Sequence, residues 1–341
     1  MKRIIHFILC VVILEQLSAQ GFITDVSKAG TTSASFLSIS QGTRATAMGG
    51  AFVAVADDQN SLYWNPAGLA DARYQGFIFE HTQWFADIKF NFIGGSFSLG
   101  DYGTAGFSVT SSDVNDMDVT TVTEPDGTGE TFGYADIAVS LAYALKLTDH
   151  FSIGFNPKYI HQRIWRMNAS AFAFDLGMRY DTPFEGVVLG MAISNFGEKM
   201  QLRGGNTLVL HDPNPEGSGN NDRIPADLST EEWALPLNFK VGLAFHVLQD
   251  ETNRLVLAVD ASHPSDNYES INIGGEYIFS DFISFRSGYK SLFLSNTDES
   301  YTFGFGLQQY FLGSVIIHVD YAYQDFHRLR NIQKFSLGIN F

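Results

Sequence analysis

The sequence predicts an all-β fold: a transmembrane antiparallel β-barrel of about fourteen strands, with an N-terminal plug or hatch segment in its lumen. Three observations predict it. The chain opens on an export leader. From about residue 76 onward it reads as short apolar–polar alternations separated by turn residues. The connections between those alternations sort by parity into a short set and a long set.

The leader comes first. Lys2 and Arg3 give a positive start, Ile4–Leu14 an apolar run, and Leu17-Ser18-Ala19 small residues for cleavage after Ala19 or Gln20. Residues 1–20 therefore read as a secretory signal peptide. As a helix the apolar run would rise about 16 Å at about 1.5 Å per residue, too short for a ~30 Å membrane core. The only cysteine, Cys10, lies inside this run. That position argues against a lipoprotein. The exported chain has no thiol, which excludes disulfides, thiolate metal sites and cysteine nucleophiles.

Composition narrows the class. The chain holds 30 Phe, 14 Tyr and 32 Gly and is only 17% charged. It has no apolar run of the ~18 residues a transmembrane helix needs. Its formal net charge of −16 becomes −17 once Lys2, Arg3 and Glu15 leave with the leader. Such an acidic chain is a poor nucleic-acid binder, because phosphate contacts need Lys and Arg.

Residues 21–75 do not read as strands. Gly42–Ala51 is rich in small residues and suits a short helix broken by glycines, followed by a short apolar alternation over Ala51–Asp57. Asp57–Trp64 suggests a capped helical turn, which Asn65-Pro66-Ala67-Gly68 then breaks. A compact segment ahead of a barrel that starts in the periplasm can fold back as a plug.

Residues 76–341 carry the barrel. Phe335, Leu337, Ile339 and Phe341 share one face, and Lys334, Ser336, Gly338 and Asn340 the other. The same division recurs in Tyr301–Gln308, Leu237–Phe245, Phe172–Arg179 and Ile137–Tyr143. One face is lipid-compatible and the other small or polar, as a membrane barrel requires. Strands are expected near 76–86, 88–99, 103–112, 131–146, 150–163, 168–181, 186–195, 235–248, 253–263, 269–279, 282–290, 298–311, 314–325 and 332–341. Alternate connections fall at Gly100–Tyr102, Thr148–Asp149, Thr182–Glu185, Gln249–Thr252, Ser280–Asp281 and Leu312–Gly313, all short like periplasmic turns. The long ones, Ser112–Glu130 and Asn195–Trp233, fall on the other side. No repeat of the kind a propeller needs is visible.

The stretch GTRATAMGGAFVAVADDQNSLYWNPAGLA carries a family likeness. It resembles the N-terminal signature of the PorV/PorQ family, a branch of the FadL-like outer-membrane proteins. The likeness rests on Arg44, Met48, Gly49, Gly50, the acidic pair Asp57 and Asp58, and the box Asn65, Pro66, Ala67 and Gly68. The resemblance implies a fourteen-stranded outer-membrane barrel with its N-terminus in the lumen. It also implies a role in type IX secretion, with secretion-system proteins and the C-terminal domains of cargo as partners and outer-membrane lipid around it. The terminal strand, with Phe335, Leu337, Ile339 and Phe341, resembles the signal read by the barrel-insertion machinery. A FadL-like transporter of hydrophobic small molecules is the alternative, and it requires an apolar lumen pocket and a strand kink beside the plug.

The chemical motifs are weak. Asn65 and Pro66 suit a buried turn as well as a gate. Arg44 needs a partner inside a barrel, and Asp57, Asp58 or a lumen carboxylate could supply it. Asp113–Asp118 lacks the Gly and distal Glu of a calcium loop, so no metal site is expected. His318 and Asp320 share a lumen parity, but no G-x-S-x-G accompanies them, so a paired network is expected rather than an enzyme. No cofactor is expected. Trp84, Trp165 and Trp233 fall near external strand ends, as girdle residues or partner anchors. His211 opens the Pro-, Gly- and Asn-rich part of the longest loop. Partner binding is expected in the two long loops and at Ser291–Thr297 and Asp325–Asn331.

Overall fold

The computed structural model describes residues 28–72, 75–217, 221, 223–294, 297–311 and 314–341. The signal peptide expected over residues 1–20 and the turn expected at Leu312–Gly313 lie outside these residues.

Fourteen antiparallel strands close into one barrel. They are β1 (Gly76–Gln83), β2 (Lys89–Ser98), β3 (Thr104–Asp113), β4 (Tyr134–Thr148), β5 (Phe151–Ile164), β6 (Met167–Asp181) and β7 (Val187–Gly197). The second half is β8 (Asn238–Gln249), β9 (Asn253–Pro264), β10 (Ser270–Phe279), β11 (Ile283–Leu292), β12 (Glu299–Phe311), β13 (Val315–Phe326) and β14 (Ile332–Asn340). Each strand pairs with its neighbours in sequence, and β1 pairs with β14 from Gly76↔Asn340 to Gln83↔Gln333. Closure satisfies every edge, without which a sheet cannot sit in lipid.

The two faces follow the alternation. On β14, Phe335, Leu337 and Phe341 are 53%, 41% and 45% exposed, whereas Lys334, Ser336 and Asn340 are 1%, 3% and 7% exposed. The exposed face is the apolar one, so it meets lipid; the polar face turns inward.

Residues 28–72 form no strand. They hold helices α1 (Thr43–Ala47) and α2 (Ser61–Trp64) and 3-10 turns at Ser35–Ser38 and Pro66–Asp71. The segment packs against the inward side of the sheet, and small residues make the space for it. A Cβ at Gly94 or Gly106 would strike Leu62, and one at Gly154 or Gly177 would strike Asn65-Pro66-Ala67. At Gly190 it would strike Val53 and Ala54, at Gly274 and Gly288 Met48, and at Gly304 Ala47. These glycines lie on β2, β3, β5, β6, β7, β10, β11 and β12, and each faces the segment. The inward glycines that read as a small, polar lumen are thus a seat for backbone.

Four local expectations change. Ala51–Val55 are buried in turns rather than a strand-like alternation, because segment and wall cover them on every side. β1 ends at Gln83, where Phe85–Asp87 turns back with Ala86 at φ 53°. β8 starts at Asn238 and not at 235, since Pro236 has no N–H to give a ladder and Leu235 is buried in an inner cluster. The longest loop is more regular than its Pro and Gly suggest: Met200–Gln201 pairs with Glu232–Trp233, and Leu208–His211 pairs with Ile224–Asp227.

Candidate functional site

The motif residues of the N-terminal segment converge on charged side chains from the barrel wall. Arg44, on α1, donates through Nη1 to Asp57 Oδ1 at 2.6 Å and Asp58 Oδ2 at 2.8 Å. Its Nε and Nη2 donate to the two oxygens of Glu276 on β10, at 2.8 and 2.6 Å. The pairing continues along the wall. Arg286 on β11 contacts Glu276 at 2.7 Å and Asp320 on β13 at 2.5 Å, and His318 Nδ1 lies 3.2 Å from Asp320. Buried charges persist only when paired and hydrogen-bonded, and here each arginine bridges carboxylates. Arg44 thus takes all three of its expected partner types, and His318 and Asp320 sit in a paired network.

A second anchor lies at the closing seam. Glu80 on β1 accepts from Gly42 N–H at 3.1 Å and Thr43 Oγ1 at 2.8 Å. Lys334 on β14 lies 3.4 Å from the same carboxylate and donates to the Ser40 carbonyl. A third is Asp260 on β9, which accepts from the backbone N–H of Phe52 and Val53 at 2.7 and 2.8 Å. Gly49 supports the turn between them. Its φ of 67° is left-handed, and a Cβ there would strike Ile273 O and Tyr289 N.

The Asn-Pro-Ala-Gly box is pressed on the opposite wall. Asn65 Nδ2 donates to the carbonyls of Val53 at 2.8 Å and Met178 at 3.0 Å, and its Oδ1 accepts from Ala67 N–H at 3.2 Å. Pro66 starts the following 3-10 turn, where its missing N–H costs nothing. Gly68 lies where a Cβ would collide with Ala56 O. Asp71 ends the box against Arg179 and Lys146, each at 2.7 Å, and accepts from Ser152 at 2.9 Å. Burial alone would raise the Asp71 carboxyl; Arg179 and these hydrogen bonds hold it below the ordinary carboxylate value.

The other predicted residues are dispersed. Trp84 turns inward, packing on Phe90 and Phe326. Trp165 occupies the tight β5–β6 turn at φ 51° beneath the Arg166 guanidinium. Trp233 is 45% exposed in the long-loop ladder, and His211 is exposed at the end of its hairpin. Phe335, Leu337 and Phe341 face outward on or just beyond β14 with the half-buried Ile339, and Phe341 N–H donates to Gln75 O at 3.0 Å. Asp113–Asp118 belongs to no metal-holding group among the described residues. Sequence reasoning missed Glu80, Asp260, Glu276 and Arg286. The signal available was a charge at inward parity in a strand, which demands a partner.

An inner cavity of about 370 Å³ adjoins the segment on the side of the long loops, lined by Tyr63, Trp64, Lys158, Asn195, Asn238, Lys240 and Lys290 among others. The β6–β7 ladder slips beside it, between Phe174 and Leu176. Asp175 fills the slip: it pairs with Lys158 at 2.8 Å and accepts from Asn195 N–H at 2.7 Å.

A model of the PorV family, described as "Type IX secretion system protein PorV", matches residues 23–205, more than half of the chain. The chain belongs to the PorV family. No curated protein matches it. Among solved structures it is similar to the Pseudomonas putida toluene transporter TodX, with TM-score 0.53 and 12% identity over 88% of this chain and 97% of that one. The Ralstonia pickettii toluene transporter TbuX gives TM-score 0.53 and 13% identity over 88% and 97%. At such identity the likeness establishes the fold alone, a closed antiparallel β-barrel. Family and fold together place this PorV-family protein in the outer membrane.

Proposed function

We propose that this PorV-family barrel is a non-catalytic binding and shuttling component of type IX secretion, holding cargo C-terminal domains or secretion partners at its external rim. The N-terminal segment acts as a plug that closes the lumen to solutes, leaving the rim to do the work. The observation that carries this reading for the chain itself is the hairpin Leu208–His211/Ile224–Asp227. Leu208, Leu210 and Ile224 are 58%, 65% and 40% exposed on it, with the half-exposed Trp233 in the same loop. Apolar side chains held out on a loop of a membrane barrel are a ready protein contact. Transport of hydrophobic molecules, the alternative, is less well supported: the strand slip is bridged by Lys158–Asp175, and the adjoining cavity places three lysine ammonium groups among its apolar side chains.

The test is co-purification from the native outer membrane in mild detergent, with mass spectrometry of what accompanies the barrel. A large translocon subunit, or secreted proteins sharing a C-terminal domain, are expected, and Leu210→Asp should reduce their recovery with the barrel still inserted. A barrel that emerges alone with bound lipid or fatty acid would overturn the secretion role in favour of transport.

A further inference from the structure

The inner cavity on the long-loop side carries an inference of its own, independent of partner binding at the rim. Three inward-facing lysines line it: Lys158 on β5, Lys240 on β8 and Lys290 on β11. Two are matched. Lys158 meets Asp175 at 2.8 Å, and Lys290 meets Glu299 at 2.5 Å. Lys240 differs. Among the described residues it has no carboxylate within ion-pairing distance, and its ammonium sits 4.3 Å from the Trp64 ring centroid and 5.8 Å from that of Tyr63. Asp260 acts on it only from farther away, and one oxygen of that carboxylate already accepts from Phe52 and Val53 N–H.

An ammonium in a low-dielectric site needs an opposite charge or water, and an aromatic face is only partial compensation. The rest of the lining mixes hydrogen-bonding groups, including Thr110, Ser140, Asn238 and Ser262, with the carboxylates of Asp266 and Glu299 and with apolar side chains such as Leu37, Leu62 and Phe92. The cavity is large enough for a small molecule, within the ~300–1,000 Å³ range of ligand sites. Its rim includes the exposed Ala29, Gly30 and Asn267, so it reaches the surface between the N-terminal segment and the β9–β10 loop.

We infer that this cavity is a binding site for a small, hydroxyl-rich anion, with Lys240 as its charge anchor. A carboxylate or a phosphate on a polar body meets the same demand: a negative group beside Lys240, and hydroxyls for the surrounding Ser, Thr and Asn. Ser140 and Ser262 already pair with Ser108 and Asn238, so the demand an apolar ligand would leave unmet is the Lys240 charge.

The experiment is isothermal titration calorimetry on the full barrel in detergent, with glucuronate and glycerol 3-phosphate as probes and glucose as the neutral control. At least one anion should bind roughly tenfold or more tightly than glucose, a difference of about 1.4 kcal/mol. Whichever anion binds decides between carboxylate and phosphate. Lys240→Met should remove that preference and Lys240→Arg should keep it, with the electrophoretic shift on heating confirming that each variant is folded. Anions binding no better than glucose would overturn the proposal without any variant. So would an unchanged preference in folded Lys240→Met.

Discussion

Arg44 and Glu276 meet through two parallel hydrogen bonds, at 2.8 and 2.6 Å, that tie the N-terminal segment to the tenth strand. The Glu276 side chain is 1% exposed and that of Arg44 13%. Removing one member takes away a partner but orphans nothing, since Arg286 still faces Glu276 and Asp57 and Asp58 still face Arg44, so the cost falls below the roughly 3–5 kcal/mol of an uncompensated buried charge. Arg44→Met and Glu276→Gln should each destabilise the barrel in urea titrations from lipid vesicles, by about 1–3 kcal/mol. The double variant should lose less than the sum of the two, because each single change already breaks the shared Arg44–Glu276 hydrogen bonds. Strict additivity would mean that the pair does not hold the segment.

The Asn65 box should control the lumen. Asn65→Ala removes three hydrogen bonds and leaves the buried Val53 carbonyl without its side-chain donor, at a cost of about 1–3 kcal/mol. Gly177→Leu is harsher, since even a Cβ there collides with Asn65. Both changes should raise ion conductance in planar bilayers, Gly177→Leu more than Asn65→Ala. Unchanged conductance would separate the box from any plugging role.

Asp71 gives the segment an acid-sensitive latch. Its carboxyl is held low in the folded protein, so its contribution is fully present above the unfolded value of about 3.9 and is lost as pH falls through the lower folded value. Protease sensitivity of the segment should therefore be flat from neutral pH down to about 5 and rise below about 4. Asp71→Asn should be sensitive at neutral pH and show less of that further rise.

Much of this architecture was legible in the sequence, and the rest was not for physical reasons. The strands were legible because lipid on one side and a polar or crowded interior on the other impose a period of two, as at Lys334–Phe341. The alternation over Ala51–Asp57 misleads, because Ala51–Val55 form a turn buried on every side, with no face toward solvent or lipid. Arg44 was legible as a charge needing a partner, and Asp57 and Asp58 as local candidates. Glu276 was not, because 232 residues separate it from Arg44 and only barrel closure brings them together. The Leu208–His211 ladder was masked by the Pro- and Gly-rich stretch that follows it.

Neighbouring residues of β14 should respond in opposite ways to the same chemistry. Phe335 lies near the middle of the strand, facing lipid, and packs against Tyr321 at a ring distance of 5.1 Å. A cation at the bilayer midplane costs about 2–4 kcal/mol on that face. Phe335→Lys should lose about that much in urea titration, while Phe335→Leu keeps the surface apolar and loses little. Lys334 faces inward, 1% exposed, beside Glu80. There the apolar replacement is the damaging one: Lys334→Met strands the Glu80 carboxylate and should cost more than Lys334→Arg, which keeps the charge. If Phe335→Lys proved harmless and Lys334→Met neutral, the assignment of the two faces of the closing strand would be inverted.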